Sequence, residues 1–178
     1  MFTKGLILVK EEIKEIFFIL SFAFLTAISS KIKIEIGVVP ITFQTFGVFL
    51  SGIILGSKRG ALSQLTYLIF GLLGFPFFSR GGGINYIFSP TFGYIIGFIF
   101  ASYVSGFIKE YKLNFLSSLF VLIFANIIIY IFGLLYLINF VPKEKILEVG
   151  LYPFIIGDLY KIFLVLLLKS ALPQVHFN

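Results

Sequence analysis

The sequence contains no cysteine and only one histidine, and both shortages limit the chemistry that the chain can perform. Without cysteine there is no disulfide framework, no thiol nucleophile and no thiolate metal site. The single histidine, His176, lies close to the C-terminus, where we interpret it as a solvated tail residue. The sequence also lacks a GxxxxGK[ST] phosphate-binding loop, which excludes ATP hydrolysis through a Walker motif. We therefore expect no enzyme activity, no metal and no cofactor.

Charged residues are scarce as well. They make up 12% of the 178 residues, whereas 59% are hydrophobic, and the mean hydropathy is +1.08. A soluble domain is normally about 25% charged, so this composition indicates an integral membrane protein. The net charge of +6 comes from Lys and Arg scattered among loops. That pattern fits orientation in a membrane better than binding of nucleic acid.

Six hydrophobic runs predict an all-α integral membrane protein, a six-helix bundle forming a single membrane domain over residues 1–178. The predicted transmembrane helices are at about 14–30, 44–56, 60–75, 90–108, 114–140 and 153–171. The second and third are shorter than the roughly 20 residues that a span needs. The stretch 27–29 loosely resembles a signal-peptidase site. Acidic residues close before the first apolar run favour a retained first membrane helix instead.

The distribution of positive charge predicts that both termini are cytoplasmic. With six spans the termini share one side, and the positive-inside rule then compares two sets of loops. Eight basic residues fall inside: Lys4, Lys10, Lys14, Lys58, Arg59, Lys109, Lys112 and Lys169. Five fall outside: Lys31, Lys33, Arg80, Lys143 and Lys145. The loop 76–89 and the start of the last helix then lie on the external side.

Small residues recur at four-residue spacing on three of the predicted helices. The sets are Ala23 and Ala27; Ser51, Gly52, Gly56 and Gly60, continuing from Gly47; and Gly93, Gly97, Ala101 and Ser105. Because apolar side chains gain little from associating in lipid, small residues help membrane helices to approach closely. For the second and fourth helices we expect packing within the bundle itself.

Asp158 and Lys161 are the residues most informative about function. They lie three positions apart within "PFIIGDLYKIFLVLLL", so one face of the last predicted helix carries both. A charge at the centre of a membrane helix costs roughly 2.5–3.5 kcal/mol on insertion scales and usually marks a functional site. Pro153 suits the first turn of that helix. Lysine can bind a carboxylate as a point charge and aspartate can accept N–H groups. We therefore expect a ligand-binding pair, with a purely structural ion pair as the alternative.

Further polar candidates lie in two segments that precede predicted helices. "VPITFQTF" contains Thr42, Gln44 and Thr45, and "FPFFSRGGGINYIFSPTFGY" contains Arg80, Asn85, Tyr86, Thr91 and Tyr94. Arg80 is a carboxylate contact or an interfacial arginine whose charged end reaches water. The glycine run 81–83 suits a mobile gate. Phe43, Tyr86 and Phe88 are candidates to stack on a flat ligand ring.

Taken together, the motifs resemble the BioY family, the biotin-specific S components of energy-coupling-factor (ECF) transporters. Four patterns carry the resemblance in this order: P-[IV]-T-x-Q-T, L-G-x-[KR]-R-G, P-T-x-G-Y and D-x-x-K. The resemblance spans about residues 15 to 170. It implies a six-helix bundle of the S-component type, N-in/C-in, in the cell membrane. It also implies biotin as transported ligand, with a transmembrane coupling subunit and two ATP-binding cassette ATPases as partners.

The resemblance also implies roles for particular residues. Asp158 and Lys161 would bind the ligand, with the ureido ring assigned to Asp158 and the carboxylate to Lys161 by charge. Arg80 and Asn85 would be weaker ligand contacts. Ala23 and Ala27 match the AxxxA that packs against the coupling subunit in S components, and for these two we prefer that interface over internal packing.

The sequence departs from the family pattern at one position, and three alternatives to a biotin-specific S component stay open. The family usually has a glycine where this sequence has Phe92, which leaves open how closely backbone and ligand approach there. An S component for another vitamin, thiamin-, riboflavin- or lipoate-like, is the main alternative. A stand-alone carrier or channel with Asp158 as a proton site is a second. A small intramembrane enzyme is the third, and it lacks a nucleophile–base set.

Overall fold

The computed structural model describes residues 2–171, with side chains from residue 11 onward, so His176 lies outside the described residues. The described part is almost entirely helical. Its α-helices are α1 Phe2–Ser29, α2 Gln44–Leu55, α3 Ser57–Leu72, α4 Phe92–Glu110, α5 Phe115–Leu137, α6 Ile146–Gly150 and α7 Tyr152–Ala171. Two short 3₁₀ segments, Ile84–Phe88 and Lys143–Lys145, precede α4 and α6. The six longer helices follow the order of the six predicted ones and confirm the all-helical fold.

Three helical segments of the described chain are long and apolar enough to cross a membrane. They are Phe92–Glu110, Phe115–Leu137 and Lys143–Ala171. The second and third helices are short, as predicted, with 12 residues in α2 and 16 in α3. The first helix differs from its prediction because it begins at Phe2, well before residue 14. The Lys and Glu residues that precede the apolar run mark where that run begins, but they do not break the helix.

Local signals explain two of the connections. Gly56 alone joins α2 to α3, and its φ of +88° lies in the left-handed region that glycine adopts at no steric cost. Asn114 caps α5, because its side-chain oxygen accepts a hydrogen bond from the Ser117 N–H at 2.9 Å. These connections make α2–α3 and α4–α5 adjacent antiparallel pairs.

Close backbone contacts of α4 with α2, α3 and α5 organise the bundle. A Cβ atom built on Gly52 would lie 2.3 Å from the Ser102 carbonyl oxygen, and one on Gly106 would lie 2.1 Å from the Ser57 nitrogen. On the other side of α4, a Cβ on Gly93 would lie 2.4 Å from the carbonyl oxygen of Phe132 on α5. The prediction that small residues of the second and fourth helices pack within the bundle is therefore confirmed.

A buried polar network joins the first four helices away from the apolar core. Gln64 on α3 donates to Thr26 on α1 at 3.2 Å and to Ser51 on α2 at 3.1 Å. Ser51 in turn contacts Ser102 on α4 at 2.8 Å. Hydrogen bonds between helices stabilise membrane bundles where water is absent.

At one end of the bundle, loop 30–43 is held against loop 73–83. Loop 30–43 contains a two-stranded antiparallel ribbon, β1 Lys33–Ile34 and β2 Ile41–Thr42, which the sequence analysis did not predict. Lys31 and Lys33 donate to the carbonyl oxygens of Phe78 and Ser79 at 2.7 and 2.8 Å. We call this end, with both loops and the start of α7, the cavity end.

Candidate ligand-binding site

A cavity opens at the cavity end, between β2 and the facing parts of α2, α4, α5 and α7. It encloses about 500 Å³ of empty space, including the part that is open to solvent. The lining is Val39, Pro40, Thr42, Gln44, Thr45, Ser79, Tyr86, Thr91, Tyr94, Ile95, Phe98, Ile129, Tyr130, Phe154, Asp158 and Lys161.

Asp158 and Lys161 form a buried ion pair in the wall of this cavity. The Lys161 Nζ lies 2.8 Å from Asp158 Oδ1, and the two residues are 6% and 3% exposed. The i, i+3 spacing on α7 brings both side chains to one face, as predicted from the sequence. Each charge would be costly if it were buried alone. In the pair, each charge compensates the other in a low-dielectric environment.

Both members of the ion pair are held by α2, α5 and β2. Asp158 Oδ1 also accepts a hydrogen bond from the Thr45 hydroxyl at 3.0 Å, and Oδ2 accepts one from Tyr130 at 2.5 Å. Lys161 also donates to the Thr42 carbonyl oxygen at 2.6 Å. The pair therefore presents a fixed acceptor and a fixed donor to the cavity.

The remaining predicted polar residues of the wall form two smaller clusters. Thr42 donates to Gln44 Oε1 at 2.8 Å, and the Gln44 amide donates to the Tyr67 hydroxyl at 2.5 Å. On the opposite wall, the Tyr86 hydroxyl accepts from Thr91 at 3.1 Å. Thr42, Gln44 and Tyr86 thus line the cavity together with the ion pair.

The structure does not bring Arg80 and Asn85 into the cavity. Asn85 is exposed on the 3₁₀ segment Ile84–Phe88. Arg80 turns away to Glu35, whose Oε2 lies 2.6 Å from its Nη2, and also donates to the carbonyl oxygens of Gly37 and Val38. Hydrogen bonds from Arg80 and then Lys33 lower the pKa of Glu35 to about 2. Arg80 therefore joins the two loops beside the cavity instead of binding at its wall.

The expected interface role of Ala23 and Ala27 is also not supported by their position. Ala23 is 0% exposed and Ala27 is 6% exposed within the chain itself. The intervening Thr26 packs at Gly47 of α2 and binds Gln64 of α3. The alanines therefore contribute to the internal packing of α1, the alternative considered for them, and their contact with a coupling subunit stays a prediction.

Several wall residues could not be recognised from the sequence. Tyr130 and Ile129 lie in the long apolar run of α5, where a residue that faces lipid looks the same as one that faces a cavity. Phe98 and Phe154 are similarly hidden among 25 phenylalanines. Phe92, the departure from the family pattern, packs against Tyr136 with ring centroids 5.7 Å apart and is not part of the wall.

The chemistry of the site is that of binding. It offers one carboxylate, one ammonium group, hydroxyls and aromatic side chains around an apolar floor. Among the described residues, no group of three or more His, Cys, Asp or Glu side chains could hold a metal ion. The arrangement suits an elongated ligand that has a hydrogen-bonding head and an anionic end.

Comparison with known proteins gives a consistent result along nearly the whole chain. The model of the BioY family matches residues 3–176. A probable biotin transporter BioY from Pyrococcus horikoshii is 40% identical over 149 residues, which cover 83% of this chain and 89% of the relative. The biotin transporter BioY from Thermotoga maritima is 36% identical over 158 residues, covering 87% and 93%.

A solved structure agrees with these matches. The S-component for biotin from an ECF-type ABC transporter superposes with a TM-score of 0.83 at 28% sequence identity. The match covers 94% of this chain and 95% of that chain. The similarity therefore extends from the sequence to the arrangement of the helices.

Proposed function

This chain belongs to the BioY family, and we propose that it is the biotin-binding membrane subunit, the S component, of an ECF transporter. The family is a transporter family and not an enzyme family. The observation that carries the proposal is the buried Asp158–Lys161 pair in the wall of a cavity. It occurs in a chain whose relatives over most of its length are biotin transporters.

Charge and hydrogen-bond capacity support separate roles for the two residues. Lys161 has three N–H donors, of which two are used by Asp158 and the Thr42 carbonyl oxygen. The third is available to the carboxylate of biotin. Asp158 has acceptor capacity left on Oδ2 for a ureido N–H. Thr42, Gln44 and Tyr86 complete the polar part of the proposed site.

We propose that Arg80 acts on access to the site and not on the ligand. The Arg80–Glu35 ion pair and the lysine contacts hold loop 30–43 over one side of the cavity. Their opening and closing would form the lid under which biotin is captured. Asn85, exposed on the neighbouring segment, has no role in this proposal.

The proposal includes partners and an orientation. An S component works with an ATP-driven module, so we propose a transmembrane coupling subunit and two ATP-binding cassette ATPases as partners. With both termini cytoplasmic, the cavity end faces the outside, and the chain forms a single membrane domain. Ala23 and Ala27 are buried within the chain, and their contact with the coupling subunit stays a prediction.

Ligand identification tests this function directly. Purified protein in detergent should retain labelled biotin, and mass spectrometry of co-purifying small molecules should detect biotin. Asp158→Asn and Lys161→Ala should each weaken binding while the bundle stays folded. Retention of riboflavin without biotin would instead favour an S component for another vitamin. Biotin uptake by vesicles that lack the ATPases would contradict the need for the module.

A further inference from the structure

Tyr130 on α5 is a polar residue of the cavity wall that has no assigned role. It lines the cavity, and its hydroxyl donates to Asp158 Oδ2 at 2.5 Å. Asn126, one helical turn before it on α5, is 8% exposed, and its Oδ1 has no hydrogen-bond partner among the described residues. The role inferred for Tyr130 rests on biotin being the ligand.

The hydrogen bonds of Asp158 show where an incoming donor can bind. Each carboxylate oxygen accepts about two hydrogen bonds. Oδ1 already accepts from Thr45 at 3.0 Å and from Lys161 at 2.8 Å, whereas Oδ2 accepts only from Tyr130. A ureido N–H entering the cavity is therefore directed to Oδ2, beside the Tyr130 hydroxyl.

The spacing of the two protein oxygens matches the edge of a cyclic urea. In such a ring each N–H points to the same side as the C=O. Bond lengths of about 1.33 Å for C–N and about 1.23 Å for C=O place the nitrogen and oxygen about 2.3 Å apart. Asp158 Oδ2 and the Tyr130 hydroxyl oxygen are 2.5 Å apart. When the O–H turns to a ligand, the two oxygens must separate to van der Waals contact, and the acceptor and the donor can then bind an N–H and the adjacent C=O at the same time.

The Tyr130 hydroxyl can change its hydrogen-bond partner without a movement of α5. Its O–H donates to Asp158 Oδ2, and rotation about the C–O bond points the same O–H elsewhere in the cavity. A ligand oxygen beside Oδ2 can therefore accept the hydrogen bond that Asp158 accepts in this structure.

We infer that Tyr130 is a further ligand-binding residue that donates to the ureido oxygen of biotin while Asp158 accepts the adjacent N–H. In this structure the same hydroxyl donates to Asp158, so binding would replace the hydrogen bond between the two residues with two hydrogen bonds to the ligand.

The test combines one substitution with three ligands. Tyr130→Phe removes only the hydroxyl, and its affinity is measured for biotin, for an analogue that lacks the ring sulfur and for an analogue with an imino group in place of the ureido oxygen. The matched control is Tyr136→Phe, since that tyrosine also lies on α5 and donates to a backbone oxygen, that of Ile87, outside the cavity. Thermal unfolding in detergent checks that each variant is folded.

Tyr130→Phe should weaken binding of biotin and of the sulfur-free analogue by the same factor, roughly tenfold to a hundredfold. The loss should be much smaller for the imino analogue, because its cyclic guanidine is protonated at neutral pH and then, like the arginine side chain, has no lone pair that can accept from a hydroxyl. Tyr136→Phe should bind all three ligands like the wild type.

Equal losses for all three ligands would overturn the inference, because Tyr130 would then act only through Asp158 or through packing. Undiminished biotin affinity in Tyr130→Phe would overturn it as well. A wild-type protein that binds no biotin would instead refute the proposed function, so the two failures can be distinguished.

Discussion

Replacing the Asp158–Lys161 pair one member at a time, and then both together, separates its structural role from its role in binding. The three variants are Asp158→Asn, Lys161→Met and the double variant. Asparagine keeps the size of the side chain, and its one amide oxygen can still accept from either Thr45 or Tyr130. Methionine keeps the length of the lysine stem without its charge.

The magnitude follows from the geometry of the pair. Unit charges 2.8 Å apart attract each other by about 6 kcal/mol at an effective dielectric constant of about 20. Much of this attraction is offset by the cost of removing both charges from water. Removing one partner leaves the other charge buried and unpaired, which destabilises a protein by about 3–5 kcal/mol. Removing both should cost about 1 kcal/mol or less.

The order of the variants by stability, measured by unfolding in detergent, should therefore differ from their order by affinity for labelled biotin. Each single variant should be about 3–5 kcal/mol less stable than the wild type, and the double variant should recover most of that loss. Biotin binding should be weakened in all three, because the double variant has neither the carboxylate nor the cation. A double variant that is as unstable as the single ones, or one that binds biotin like the wild type, would refute this reasoning.

Three further predictions concern other parts of the chain. Glu35, with its pKa lowered to about 2 by Arg80 and Lys33, contributes to holding the loops together above about pH 4.5, and this contribution is lost as the pH falls through about 2. The protection of loop 30–43 against hydrogen exchange, relative to the intrinsic rate at each pH, should fall over that range in the wild type, and a Glu35→Gln variant that kept the same pH dependence would contradict this. Gly106→Ala should destabilise by about 1–3 kcal/mol, since its Cβ would meet backbone at 2.1 Å. Gly157→Ala should be tolerated, because a Cβ at that position would lie 4.0 Å from its nearest neighbour, a side-chain atom of Ile41. Equal denaturation midpoints for the Gly106 and Gly157 variants would count against close packing of α4. Gln64→Leu should cost about 1–2 kcal/mol in thermal unfolding, because hydroxyls on α1 and α2 lose their donor, and an unchanged midpoint would show that the network adds nothing.

The predictable part of the site is the last helix, where Asp158 and Lys161 lie in an otherwise apolar segment. Two charges three residues apart in an apolar helix are conspicuous, and helical periodicity alone places them on one face. The hydrophobic runs similarly predict the order of the helices. The start of α1 at Phe2 was not predictable in this way, because hydropathy marks where the apolar run begins and not where the helix begins.

Tyr130 and Asn126 escaped prediction for the opposite reason. They lie in the middle of a 23-residue helix that is apolar all round, so periodicity does not indicate which face meets the cavity. Only the packing of α5 against α4 and α7 determines that face. A polar residue such as Asn126 in an otherwise apolar span is the one signal that could have drawn attention to this helix.

Arg80 and Asn85 show how proximity in sequence differs from proximity in space. Arg80 lies six residues before Tyr86 and Asn85 lies one residue before it, but of the three only Tyr86 lines the cavity. The partner of Arg80, Glu35, comes from a loop 45 residues earlier in the chain. No local pattern links those two residues, so their ion pair could be found only in the folded structure.

The short third helix has a consequence for the surrounding lipid. At about 1.5 Å per residue, its 16 residues span about 24 Å, whereas the 23 residues of α5 span about 34 Å. Leu62, Leu65 and Ile69 are exposed on α3, as are Phe120, Phe124 and Ile131 on α5. The hydrocarbon core of a bilayer is about 30 Å thick, so lipid must thin beside α3 or the protein must tilt. The hydrophobic mismatch thus differs from one side of the molecule to the other, and the acyl-chain length of the host membrane should bias how the bundle leans in it.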